Sequence, residues 1–412
     1  MLTVGRMLLK GGCVAASGWQ APCRADVLVG ADGRIEAVGG GLSAEGADII
    51  DVSGRLIVPG LVDMHQHLDK SHTLDAAPNL SGTLAGAGQA FAAYARTATK
   101  EDIAARARKT MNACLERGTL AIRSHANVDY ELRLRGVEAL VALREEYRER
   151  MHLDVVAFVT GSAARGDPAE AKRLLEDALA AGADTVGGAP NLAADPAGFI
   201  DMLLDVAEKH GKRVDLHVDE HLRPQADNLL HLARQTRLRG LGDRVVAGHC
   251  CSLSAMEDAA AGFVMDEVAW SGMGIVTLPT ANLFLQGRGE ERPTARGLTR
   301  VTDFIARGVP IATASDNIQD AFVPIGSGDM LELARWTILA GHLLKDEASL
   351  AFDMIARVPS HLLGLGPCGI APGEWASVLV TETGNVTDLV RTGPLRRTAF
   401  YRGRLVAGHF SH

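Results

Sequence analysis

Eight times between residues 56 and 340 an apolar extended run gives way to a stretch with helical spacing. No other feature constrains the fold of this chain as much. The extended runs are Leu56–His67, Thr119–Ala126, Asp154–Thr160, Asp184–Pro190, Arg213–Glu220, Arg244–Cys250, Gly274–Thr280 and Pro310–Asp316. The helical stretches are Lys100–Arg117, Val137–Arg150, Asp167–Ala181, Pro196–His210, Gln225–Arg239, Ser254–Trp270, Thr299–Arg307 and Gly328–Ala340. The extended runs are rich in β-branched residues and do not alternate cleanly with polar ones, which predicts strands covered on both faces, as parallel strands are. Eight such units over about 280 residues is the count of an α/β fold of the closed (β/α)8, TIM-like barrel kind. An open, doubly wound sheet is the other architecture that the alternation admits.

The two ends differ from this series. Residues 1–55 and 370–412 carry short strand-like runs between Gly and Asp turns, among them Ala25–Val29, Trp375–Asn385 and Thr398–Gly408. Neither end alone supplies enough strands for a stable sheet. Together they are expected to form one small β-sandwich domain, with a catalytic barrel of residues 56–369 inserted between them.

Apolar residues make up 47% and charged residues 22%, which excludes disordered and fibrous classes. Lys plus Arg is 42 against 50 Asp plus Glu, a net charge of −8 that argues against a nucleic-acid or anionic-membrane partner. No run approaches the roughly 18 apolar residues of a membrane span. Lys10 cuts short the apolar patch after Arg6, leaving too little for the core of a secretion signal. The cysteines Cys13, Cys23, Cys114, Cys250, Cys251 and Cys368 are scattered and none lies in a CxxC. They read as reduced thiols of a cytoplasmic protein, not as a disulfide framework or a cysteine zinc site.

In a barrel of this kind, catalytic groups sit at the carboxyl ends of the strands. The tips read His65-Gln66-His67, His217-Val218-Asp219-Glu220, Gly248-His249 and Ser315-Asp316-Asn317. His-x-His on one strand places both imidazoles on one face, because the side-chain period is two. With His217 and Asp316 they make a three-nitrogen, one-oxygen donor set suited to Zn2+ or Fe2+. Taken singly, each has a plainer reading. The pair could be hydrogen-bonded surface histidines, His217 a core histidine, and Asp316 a helix cap. The four together favour one divalent metal ion. Glu220, three residues past His217, can act on the attacking water as general base and then general acid, or be a solvated loop carboxylate. His249 can bond the water or the developing tetrahedral centre, or be a core histidine. The fourth run ends Gly187-Gly188-Ala189-Pro190-Asn191, without the lysine that a carbamylated bridge between two metals needs.

Several segments carry a family resemblance. Pro59–Thr73 (PGLVDMHQHLDKSHT), His217–His221 (HVDEH), Val245–Cys250 (VVAGHC), Leu283–Arg288 (LFLQGR) and Ala314–Met330 (ASDNIQDAFVPIGSGDM) resemble the amidohydrolase superfamily, specifically its cytosine deaminase-like branch. The resemblance implies His65, His67, His217 and Asp316 as metal ligands, Glu220 as proton shuttle and His249 as the histidine beside the reactive centre. Asp69-Lys70-Ser71 and the segment around Asp316 also resemble the isopropylammelide amidohydrolases of triazine breakdown. Two places depart from the cytosine deaminase pattern. Thr160 stands where that branch carries the Gln that pairs with the pyrimidine edge, and a hydroxyl cannot supply an amide's paired donor and acceptor. Asn317 and Phe322 stand in place of an Asp and a Trp.

The expected function is metal-dependent hydrolytic deamination of an amino-substituted N-heterocycle, with Glu220, His249 and Asp316 catalytic. Pyrimidines are the first expectation, pterins or triazines the next. Thr160, Gln286, Asn317 and Phe322 are the candidate substrate contacts. Arg288 is as readily a structural ion-pair partner as a substrate contact. Cleavage of an exocyclic N-alkyl or cyclic amide C–N bond is the rival within the class. A catalytically silent binding protein is the rival outside it, and the presence of all six site residues argues against it. The partner is a small heterocycle, and a homo-oligomer is compatible with the sequence.

Overall fold

The computed structural model describes residues 5–288, 295–366 and 369–408, so Cys368 lies outside the described residues. Both ends of the chain meet in one sheet. Its strands are β1 (Met7–Val14), β2 (Cys23–Val29), β3 (Ile35–Gly39), β4 (Asp48–Asp51) and β5 (Leu56–Pro59) from the first end. From the other end come β14 (Val378–Thr381), β15 (Arg397–Tyr401) and β16 (Arg404–Ala407). The order is β16-β15-β14-β5-β1-β2-β3, with β4 alongside β1. Val58 of β5 faces Leu379 of β14, which fastens the two chain ends together. Leu9, Val27, Val29, Ile57, Val380 and Phe400 form the apolar cluster of this sheet.

The second sheet is the barrel. It comprises β6 (Leu61–Gln66), β7 (Thr119–Val128), β8 (His152–Val159), β9 (Thr185–Gly188), β10 (Arg213–Val218), β11 (Val245–His249), β12 (Gly274–Thr277) and β13 (Ile311–Thr313), each parallel to the next in chain order. β13 and β6 meet at the carboxyl rim. Asp316 N donates to His65 O at 2.8 Å and His67 N donates to Asp316 O at 2.9 Å. The ring is joined there, which sets aside the open doubly wound sheet.

Leu56–His67, expected as one strand, is two. β5 belongs to the terminal sheet and β6 opens the barrel. The chain crosses between them at Gly60, where a Cβ would collide with the Leu120 side chain. The eighth strand is shorter than the run Pro310–Asp316, because the segment after Thr313 turns to bridge the first strand. The helix expected from Ser254 begins at Asp258, behind a short 3-10 turn, Cys251–Ala255.

Helix starts follow local chemistry. Thr99 Oγ1 accepts from Asp102 N ahead of the helix Lys100–Glu116. Asp167 and Asp195 do the same ahead of Pro168 and Pro196, whose fixed φ suits the first helical position. The apolar faces of the helices pack on the outer faces of the strands, with Leu140 of Arg135–Tyr147, Leu175 of Pro168–Ala180, Ile200 and Leu203 of Pro196–His210, and Leu229 and Leu232 of Asp227–Arg239 buried there. Inside the barrel, Val62, Met64, Val246, Val276 and Ala312 form a separate cluster with Leu362 and Leu363 of the helix Arg357–Leu363. Among the described residues no helix is long and apolar enough to cross a membrane.

Candidate active site

His65 and His67 leave β6 on its inward face, and His217 leaves β10 to meet them. His217 Nε2 is 3.2 Å from His65 Nε2 and 3.1 Å from His67 Nε2. Asp316 Oδ1 is 3.2 Å from His67 Nε2 and 3.7 Å from His65 Nε2. The four donor atoms lie within 4.8 Å of one another and all four residues are buried. Burial, above all, pushes the three imidazoles well below their ordinary pKa, so they present neutral lone pairs. Three such nitrogens and a carboxylate oxygen at these spacings are a donor set that one tetrahedral cation could take. His67 Nδ1 lies 3.2 Å from His125 O and 2.9 Å from Lys70 Nζ, so this nitrogen is engaged on the side away from the cluster.

The tips that carry these groups have unusual backbones. Asp219 (φ 47°), His249 (φ 69°), Cys250 (φ 49°) and Asp316 (φ 64°) all adopt left-handed conformations. Each costs an L-residue about 1–3 kcal/mol and persists only where the surroundings enforce it. Here the bends end the strands early and turn Glu220, His249 and Asp316 toward one point. Asp219 Oδ2 accepts from Leu229 N at 2.9 Å and so pins the turn before Glu220. Gly248 leaves room for the His65 ring, since a Cβ there would lie 2.9 Å from His65 Cε1.

Glu220 Oε1 is 3.6 Å from His249 Nδ1, and His249 Nε2 is 4.0 Å from Asp316 Oδ2. Burial, then the Asp316 charge, pushes Glu220 well above the usual carboxylate range. A buried carboxyl so placed is a candidate general acid or base. Burial pushes His249 down to about 4, so its ring is neutral. The Asn282 amide nitrogen sits 3.0 Å from His249 Nδ1 and donates to it, which leaves the ring proton on Nε2. The six residues expected at the centre are thus together.

The four expected substrate contacts are placed more variously. Asn317 follows Asp316 and donates to Asp320 Oδ2 at 2.7 Å. Gln286 donates to the Glu220 carbonyl oxygen at 3.3 Å, bracing the loop that carries Glu220. Thr160 is buried at the head of the short helix Gly161–Arg165. Phe322 packs beside the cluster of Phe91, Ala95 and Leu132, its ring 5.9 Å from Lys70 Nζ. The Arg288 guanidinium lies over the Phe284 ring at 4.3 Å.

Other residues at the site were not singled out from sequence. Phe158 stacks on His217 with ring centroids 4.2 Å apart. Lys70 is buried, with Nζ 2.9 Å from both His67 Nδ1 and Asn127 Oδ1. His125 and Asp215 pack behind His65. The available signal was positional: Arg123, His125, Asp215 and His217 are polar residues two apart inside otherwise apolar runs.

The model of the Amidohydrolase family matches residues 48–138 and 86–408. The chain belongs to the amidohydrolase family. Within that family, it is 29% identical to a pterin deaminase of Rhizobium rhizogenes over 396 residues, 93% of this chain and 88% of that protein. It is 28% identical to an N-isopropylammelide isopropyl amidohydrolase of a Pseudomonas species, covering 82% of each. Among solved structures it is similar to 5-methylcytosine deaminase from Klebsiella pneumoniae liganded with 5-fluorocytosine, with a TM-score of 0.90, 28% identity and 98% of both chains covered.

Proposed function

We infer that this amidohydrolase is a metal-dependent hydrolytic deaminase of an amino-substituted N-heterocycle. The convergence of His65, His67, His217 and Asp316 on one point, with Glu220 and His249 beside it, carries this reading. The named activities of its relatives, deamination of pterins and 5-methylcytosine, support it. A single Zn2+ or Fe2+ bound by the four donors supplies Lewis-acid chemistry, drawing the pKa of water toward neutrality.

The protein's own groups do the rest. Glu220 takes a proton from the attacking water and returns it to the ring nitrogen beside the attacked carbon. The oxygen adds to the carbon bearing the amino group, and His249 Nε2–H donates to it as charge develops. Asp316 orients the water through its second oxygen. The C–N bond then breaks with one more proton moved to nitrogen, so that water is consumed and ammonia and a ring carbonyl result. Phe158, stacked on His217, supplies an apolar wall that excludes bulk water from one side.

Substrate choice follows from the edge of the ring. Thr160 offers one hydroxyl, and the Asn317 amide nitrogen is already held by Asp320. Neither provides a free two-point partner for a plain cytosine edge. The test is a screen of Zn2+- and Fe2+-loaded protein against aminopyrimidines, pterins and aminotriazines, reading ammonia and alkylamine separately. Ammonia from at least one N-heterocycle is the expected result. Alkylamine release alone would move the reaction to the exocyclic N-alkyl bond, and no amine of either kind would refute deamination.

A further inference from the structure

A second polar layer lies behind His65. Asp215 precedes His217 by two on β10 and Arg123 precedes His125 by two on β7, so these side chains enter the barrel together. Arg123, His125 and Asp215 are fully buried. Arg123 Nε donates to Asp154 Oδ1 at 2.9 Å and Nη1 donates to Asp215 Oδ2 at 3.1 Å. The other oxygen, Asp215 Oδ1, is 3.3 Å from His125 Nε2 and 3.9 Å from His65 Nδ1. Asp215 Oδ1, His65 Nδ1 and both His125 nitrogens are buried without a hydrogen-bond partner. Buried polar groups left in this way are costly unless a partner is supplied. The His65 ring itself is confined, with His125 at a centroid distance of 4.0 Å and the Gly248 backbone nearby.

We propose that Asp215 is a positioning residue for the metal ligand His65. The proposal rests on the four-donor reading above. Once His65 Nε2 faces a cation, the neutral ring carries its proton on Nδ1, and Asp215 Oδ1 is the acceptor beside it. Closing the 3.9 Å separation by somewhat under one ångström makes that hydrogen bond. Arg123 holds the carboxylate's other oxygen and so fixes its direction. The charges also match. One guanidinium against Asp154 and Asp215 leaves the layer one negative charge, which offsets the one positive charge of a divalent ion with Asp316. His65, His125 and Asp215 also have donors close enough for a cation of their own. The Arg123 guanidinium on the same carboxylate opposes a second dication there, and His65 would have to lose both ring protons.

Co2+ titration of the metal-stripped protein, followed by visible absorption, tests this. Wild type should bind one Co2+, and Asp215→Asn should bind one with affinity roughly 10–100-fold weaker, the usual loss when such a partner is removed. Asp154→Asn loses an Arg123 contact and leaves the His65 partner in place, so its affinity should stay within about threefold of wild type. Unchanged affinity in Asp215→Asn, or an equal loss in Asp154→Asn, overturns the proposal. Two Co2+ in wild type with one lost in Asp215→Asn overturns it in favour of a second cation. No binding by wild type refutes the four-donor reading and the proposal with it. If Asp215→Asn does not fold, 15N-histidine NMR of the Zn2+-loaded wild type decides: His65 should be ligated through Nε2 with a slowly exchanging Nδ1 proton, and an unprotonated Nδ1 contradicts the assignment.

Discussion

At the scale of single residues, Glu220 makes the sharpest demand. Its carboxyl is pushed up by burial and by Asp316, beside a neutral His249. Glu220→Gln keeps the shape and removes the ionisable carboxyl, so kcat should fall about 10²–10⁴-fold with metal content unchanged if Glu220 carries the proton. Steady-state kinetics beside metal analysis checks this, and a variant retaining more than a tenth of wild-type kcat would remove Glu220 from the mechanism. Thr160 leads to a second expectation. Cytosine should be a poor substrate beside 5-substituted cytosines, pterins or aminotriazines, because an unmatched polar edge costs up to roughly 10⁴-fold in selectivity. If cytosine has the highest kcat/KM of the set, at about 10⁴ M⁻¹s⁻¹ or above, another group reads its edge. The six central residues were legible because each ends an apolar run with a polar side chain. Lys70 stood only within a segment of family resemblance, and its burial against Asp69 and Asn127 has no local signal in the sequence.

At the scale of elements, the eight strands were legible from their β-branched runs, and their ends were not. Asp219 and Asp316 stop β10 and the rim of β13 by taking left-handed conformations, which residue type alone does not announce. Nor does composition reveal that Gly60 divides one apolar run between two sheets. Gly60→Val should destabilise by about 1–3 kcal/mol, the usual cost of overpacking against a fixed neighbour such as Leu120. A denaturation midpoint equal to wild type would show that the crossing tolerates a side chain. The buried layer on β7 and β10 is a second such element. Arg123→Met leaves Asp154 and Asp215 buried without their cation, and a loss of about 3–5 kcal/mol is expected in urea unfolding. A variant as stable as wild type would mean that the two carboxylates find other partners.

At the scale of the whole molecule, the chain joins a barrel to a sheet made from both of its ends, and the same closing contact serves fold and chemistry. The bonds of Asp316 to His65 and His67 link the last strand to the first and bring three of the four donors together. The alternation of strands and helices made this architecture readable. The closure itself rests on hydrogen bonds between residues about 250 apart, these two together with those of Ser315 to Asp63 and Gln66, which no local pattern encodes. The central claim is that these donors make one metal-dependent deamination site. The direct measurement is ammonia release from the best N-heterocycle while metal-stripped protein is titrated with Zn2+ or Fe2+. Activity should be absent without metal, rise linearly and reach its plateau at one ion per chain. Ammonia release by the metal-free protein, or a plateau only at two ions per chain, would contradict the account.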